Sequence, residues 1–181
     1  MVRKLTITVT YLFLFPLLML QGQVLEPVTW SFGTEKTGDN KFDIVMTAEI
    51  DNGWHLYAMD IAEGGPIATS FTFEEPSGYA LEGKPVAIDK PEVKFDNSFG
   101  MDIGMHSVRA GFRQKITVTQ YPATVKGFVT FMSCDDKQCL PPRDIEFSLV
   151  IKGNGAAPAS AEKTNADESV VTTAQQSTGN T

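Results

Sequence analysis

The chain is most informative where it is poor. Only two cysteines and two histidines occur in 181 residues, so a disulfide framework of several bridges is excluded, and a metal site would have to gather nearly every soft ligand present. Basic residues are outnumbered, 15 Lys and Arg against 22 Asp and Glu, for a formal charge of −7. Without a basic stripe, neither nucleic acid nor an anionic membrane surface is a fitting partner. No segment after the first 22 residues carries three turns of amphipathic helical periodicity. From Gly153 to Thr181 aromatic residues are missing altogether, and such a segment cannot bury enough apolar surface to offset its ordering entropy, so it reads as a flexible linker or disordered tail over residues 153–181.

The N-terminus is of the opposite kind. Arg3 and Lys4 precede an apolar run from Leu5 to Leu20 and a small polar turn, Gln21-Gly22-Gln23. That order is expected of a secretory signal peptide over residues 1–22. Thr6, Thr8, Thr10 and Pro16 interrupt the run and make it poor material for the alternative, a permanent membrane anchor. Removal of the leader takes the charge to −9, because it holds two basic residues and no acidic one. Residues 23–152 are then the length of one ordinary domain, large enough for a core of its own.

Within that domain, short β-rich runs alternate with Gly, Pro, Asn and Asp. Phe42, Ile44, Met46, Ala48 and Ile50 recur at period two, the mark of a half-buried strand, and Asp51-Asn52-Gly53 follows as a turn. Further strands are expected over Val28–Phe32, Trp54–Ala58, Ser70–Phe73, Val93–Phe95, Ser107–Phe112, Lys115–Thr119, Val125–Met132 and Ile145–Ile151. Glu63–Pro66 and Pro76–Pro91 read as connections. Many short strands with frequent turns predict an all-β fold, an immunoglobulin-like antiparallel β-sandwich.

The cysteines lie in Cys134-Asp135-Asp136-Lys137-Gln138-Cys139-Leu140-Pro141-Pro142, between two of these strands. They can bridge if the loop folds back on itself. A bridge closing so short a loop removes roughly 2 kcal/mol of unfolded-state entropy, against about 4–5 kcal/mol for a staple between distant strands. Spacing therefore leaves two readings open: thiol–disulfide exchange, or a local structural bridge in an exported binding or assembly module. Zinc, drawing on His55 and His106, lacks the second paired ligand motif such sites carry. No metal and no cofactor is expected. Asp135 and Asp136 oppose thiolate formation beside Cys134, while Lys137 and Arg143 favour it. The expected pair therefore has no strongly lowered pKa. Tyr57 should share a strand face with His55, with Trp54 and Leu56 turned to the core; His106 reads as a strand-edge residue.

Three segments together resemble the N-terminal periplasmic domain of DsbD-type thiol:disulfide interchange proteins. The Cys134–Pro142 stretch resembles its active-site hairpin. Asp51-Asn52-Gly53-Trp54-His55-Leu56-Tyr57 is similar to the strand whose aromatic residues line the dithiol. Asp96-Asn97-Ser98-Phe99-Gly100 is similar to its cap loop. The resemblance implies an immunoglobulin-like fold, Cys134 and Cys139 as the exchanging pair, and Asp96, Phe99, Gly100, His55 and Tyr57 as cap or shielding residues. Cys139 would be the sulfur at the partner face. It also implies a periplasmic relay from a thioredoxin-like electron donor, fed through a membrane domain, to oxidised periplasmic thiol proteins: disulfide isomerases or proteins of cytochrome c biogenesis. Two departures are visible. The cysteines are one residue closer than in the best-known members, and His55 stands where a Tyr is expected. Membrane association would come only through a further domain after residue 181; otherwise the module works with separate donors.

Overall fold

The computed structural model describes residues 25–153. The leader read over 1–22, and all but the first residue of the tail read over 153–181, lie outside the described residues. Eleven strands follow one another: β1 (Val28–Gly38), β2 (Lys41–Ile50), β3 (His55–Tyr57), β4 (Ser70–Phe73), β5 (Tyr79–Ala87), β6 (Glu92–Asp96), β7 (Met101–His106), β8 (Arg109–Val118), β9 (Ala123–Phe131), β10 (Ser133–Cys134) and β11 (Arg143–Ile151). They form three antiparallel sheets in the orders β1-β2-β8-β5, β11-β9-β4 and β10-β3-β7-β6.

The first two sheets face each other as the expected immunoglobulin-like sandwich. On β2, the period-two set Phe42, Ile44, Met46, Ala48 and Ile50 is buried throughout, and β9 and β11 answer it with Val125, Val129, Phe131, Phe147, Leu149 and Ile151. Trp30 spans the gap. Its ring lies 5.8 Å from Phe112 on β8, 5.8 Å from Phe71 on β4 and 5.6 Å from Phe131 on β9, contacts each worth about 0.5–1.5 kcal/mol beyond the area they bury. Gly127 is required where β9 passes between its neighbours: a Cβ there would run into the Thr72 carbonyl oxygen and the Phe147 ring.

The third sheet grows from the second. Beyond Phe131 the chain passes Met132 and re-enters a ladder as β10, where Ser133 pairs with Leu56 and Cys134 with His55. The main core therefore runs directly into the cysteine segment.

Several expectations need correction. Pro76–Pro91 is not a connection, for it contains β5, an edge strand whose register shifts between Glu82 and Val86. Gly83, at φ 70°, and Pro85 are tolerated at that irregularity because an edge strand need not satisfy a partner on both sides. The runs Ser107–Phe112 and Lys115–Thr119 are parts of one strand, β8. Gln114, which hides the periodicity, is buried and donates from Nε2 to the carbonyls of Glu82 and Lys115. β7 was not expected from the sequence. His106, at its end, is only 4% exposed and turns its ring edge to Phe112 at 5.6 Å, a core position and not a strand edge.

Candidate functional site

The five-residue spacing of the cysteines has a geometric consequence. Asp135 donates its N–H to the Gln138 carbonyl at 2.9 Å, and Leu140 donates to the Ser133 carbonyl at 3.0 Å. Asp136 and Lys137 are thus the two tip residues of a hairpin, and Cys134 and Cys139 face each other one step below the closing pair, between two hydrogen-bonded pairs. Opposed residues at such a site approach most closely in an antiparallel ladder, and here the Cα atoms are 4.1 Å apart. The two sulfurs are joined as a disulfide. Asp135 holds the tip: its Oδ1 accepts from the N–H groups of Lys137 and Gln138, and these bonds keep its carboxyl below the usual range. Arg143, expected to favour a thiolate, is paired with Glu26 at 3.0 Å.

The two sulfurs are not equivalent. Cys134 is 1% exposed and belongs to a small second core with Tyr57, Ile103 and Met105; Cys139 is only partly buried at its margin. Ile103 and Met105, with Met101 beside them, were not singled out in the sequence. The period-two spacing of Met101, Ile103 and Met105 was the available signal, broken to the eye by Asp102 and Gly104.

Tyr57 sits over the buried sulfur. Its hydroxyl is 2.7 Å from Asp96 Oδ2 and 3.1 Å from Cys134 Sγ. A phenol has one hydrogen to give, and the short distance to the carboxylate assigns it there in the disulfide state. Burial, then the hydrogen bond and charge of Asp96, push the Tyr57 hydroxyl well above its ordinary pKa. For Asp96, burial would raise the carboxyl. The bonds from Tyr57, Ser98 and Phe99 and the nearby His55 outweigh it and hold the group below the usual range.

The cap loop is built on that carboxylate. Asp96 Oδ1 accepts from the N–H of Ser98 at 2.8 Å and of Phe99 at 3.3 Å, while its carbonyl accepts from Gly100 N–H at 2.7 Å. Gly100 closes the turn at φ 67°, a conformation in which a side chain is strained. The turn brings Phe99 against the small core that holds Cys134, edge-on to Tyr57 at 5.9 Å between ring centres. On the other side the His55 ring meets Tyr57 edge-on at 5.1 Å, and its Nε2 lies 3.9 Å from Asp96 Oδ2. Burial lowers the His55 pKa against the pull of Asp96, Asp136 and Asp135. The structure thus brings His55, Tyr57, Asp96 and Phe99 together beside Cys134, with Gly100 closing the turn that carries Phe99. Leu56 points into the core as expected; Trp54 packs on the core's edge, half-buried. Among the described residues no cluster of three or more His, Cys, Asp or Glu is placed to hold a metal ion.

A disulfide between a buried and a partly exposed cysteine, with a hydroxyl and a carboxylate beside the buried one, is equipped for exchange with a thiol that approaches from one side. None of the curated proteins matches the sequence significantly. Among solved structures, the N-terminal periplasmic domain of ScsB from Proteus mirabilis shares the fold, with a TM-score of 0.52 at 18% identity over 77% of this chain and 52% of that one. The reduced N-terminal domain of DsbD from Neisseria meningitidis matches at 20% identity and a TM-score of 0.45, over 73% of this chain and 90% of that one. The family model for the N-terminal region of the thiol:disulfide interchange protein DsbD matches residues 22–151, a span that holds all eleven strands and both cysteines, and the chain belongs to that family.

Proposed function

We propose that residues 23–152 are an extracytoplasmic, periplasmic exchange domain that takes electrons from a thioredoxin-like dithiol and passes them to oxidised thiol proteins through Cys134 and Cys139. Membership of the family supports exchange chemistry, and the leader expected over residues 1–22 supports export. The observation that carries the direction of attack is the unequal burial of the sulfurs: Cys134 is 1% exposed, whereas Cys139 is partly open.

In the reducing step a donor thiolate attacks Cys139 Sγ, the Cys134–Cys139 bond breaks, and its electron pair leaves on Cys134. The donor's second thiolate then attacks its own sulfur in the mixed disulfide and releases Cys139. Two electrons have moved: the donor is a disulfide and the domain a dithiol. Run backwards with an oxidised acceptor, such as a disulfide isomerase or a cytochrome c maturation protein, the same sequence reduces that acceptor. Phe99 shields the pair from small thiols, and Asp96 and Gly100 hold the loop that carries it.

Trapping separates this reading from a passive bridge. With a thioredoxin lacking its resolving cysteine and activated as a mixed disulfide, Cys134→Ser is expected to accumulate a covalent complex through Cys139. Cys139→Ser should trap roughly tenfold less, read on non-reducing gels and by mass spectrometry. Equal trapping by both variants would overturn the assignment of Cys139, and trapping by neither would leave the bridge a local staple.

A further inference from the structure

The exchange chemistry leaves one group at the site without a task. The Nε2 atom of His55 is buried with no hydrogen-bond partner, and buried polar atoms left unpaired call for an explanation. The side chain as a whole is 16% exposed, because it lines a surface groove of about 450 Å³ together with Asp51, Lys94, Ser98, Val108 and Asp136. One part of His55 thus meets a solvent-filled groove, while Nε2 lies 3.9 Å from Asp96 Oδ2.

The leaving sulfur has a need that matches. When the Cys134–Cys139 bond breaks, negative charge appears on a sulfur shielded from bulk water, where a thiolate is disfavoured. The hydroxyl that lies against that sulfur is that of Tyr57, at 3.1 Å. Tyr57 can release its proton only if it is resupplied at once, since a tyrosinate would be buried against a carboxylate. The resupply has to pass through Asp96 Oδ2, the atom 2.7 Å from the Tyr57 oxygen. Asp96 is not itself the store, because its hydrogen bonds hold it ionised. The same Oδ2 atom is the one nearest His55 Nε2.

We propose that His55 is a positioning residue that supplies protons to the exchange reaction: as the disulfide opens, its imidazolium, charged from the groove, closes the 3.9 Å to Asp96 Oδ2 and gives a proton to that atom, while the Tyr57 hydroxyl turns its hydrogen from the carboxylate to Cys134 Sγ and is resupplied from Asp96. This rests on the exchange reading above. One proton enters from solvent at His55 and one ends on Cys134, while Asp96 finishes ionised, Tyr57 protonated and His55 neutral. Cys139 takes its own proton from water after release, and both electrons come from the donor dithiol. On reoxidation the path runs in reverse, with His55 accepting the Cys134 proton. The charged and titratable groups around His55 are Asp96 and Lys94 from β6, Asp135 and Asp136 from the hairpin, Asp51 from the turn before its strand, which lines the same groove, and Tyr57 on its own strand. Carboxylates outnumber the lysine and draw a proton in; burial works against its staying.

The test is the rate at which dithiothreitol reduces the oxidised full chain between about pH 5 and 8, divided by the thiolate fraction of the reagent. In the unmodified protein the corrected rate is expected to rise as pH falls below the ordinary imidazole value of 6.5, then level off. His55→Phe keeps a ring against Tyr57 and should give a pH-independent corrected rate, roughly tenfold lower at the acid end. Free imidazole should restore part of the rate to His55→Ala and add nothing to the unmodified protein. A flat corrected profile in the unmodified protein overturns the proposal whether or not the variants fold, and so does a rising profile in folded His55→Phe. A disulfide that resists the dithiol at every pH sinks the exchange reading too, whereas a pH-flat reduction sinks only this one.

Discussion

Replacing Tyr57 by Phe removes one oxygen atom from the middle of the site and leaves the ring, which is fully buried, with its packing intact. The lost atom donates to Asp96 Oδ2 at 2.7 Å. A hydrogen bond to a charged group contributes about 1.5–3 kcal/mol, and Asp96 retains the Ser98 and Phe99 N–H groups on its other oxygen, so the expected destabilisation at neutral pH is about 2 kcal/mol. The sign with pH follows from the carboxyl. Its pKa in the folded chain lies below the ordinary 3.8, so its contribution is present above that value and is lost as pH falls through the folded pKa. The gap between Tyr57→Phe and the unmodified protein should therefore be full at neutral pH and shrink to about 1 kcal/mol or less in strong acid, where only a neutral hydrogen bond is at stake. Urea unfolding of the two disulfide forms at several pH values measures this. A gap that stays constant from neutral pH to acid would show that the hydroxyl does not act through an ionised Asp96.

Phe99→Ala removes a ring that packs against the small core holding Cys134 and is proposed to shield the pair. A sulfur–aromatic contact is worth about 0.3–1.5 kcal/mol, and its loss should raise the rate of reduction by glutathione by up to roughly tenfold with little change in the unfolding midpoint; an unchanged glutathione rate would remove the shield from the account. His55 and His106 are both held neutral chiefly by burial, the latter against Asp89. Their folded pKa values lie below 6.5, so the stability tied to neutrality is full above that value and is lost as pH falls below it. His106→Gln should flatten part of this slope in thermal unfolding followed between about pH 7 and 4.5, and an unaltered slope would place the proton uptake elsewhere.

Much of the sandwich could be read from the chain because its inner faces alternate strictly. The apolar residues of β2 repeat at period two, and β4 coincides with the expected run Ser70–Phe73, whose last three residues are aromatic or β-branched. The strands that escaped are those whose constraints come from neighbours. β5 carries Gly78, Gly83 and Pro85 near or within it, and only its place at a sheet edge makes them harmless. β7 contains Gly104 because a Cβ there would lie 3.2 Å from Ala58 and 3.5 Å from Pro91, a crowding that arises only after folding. At the site, the hairpin, the aromatic strand and the cap loop were each visible as local patterns. Their meeting was not: the Tyr57–Asp96 bond joins residues 39 apart and the Tyr57–Cys134 contact residues 77 apart. Nothing local marks Asp96 Oδ2 as the atom that faces both Tyr57 and His55.

The passage of β9 through Met132 into β10 bears on how such a domain changes state at small internal cost. Cys134 lies in β10, paired with His55 three residues beyond the core residue Phe131, while Cys139 lies on a short return arm tied back at Asp135 and Leu140. When the sulfurs separate, the displacement would fall on that arm and the sandwich would keep its shape. Oxidised and reduced forms would then present nearly the same outer face, and a visiting protein would be distinguished by what one sulfur does, not by a remodelled surface.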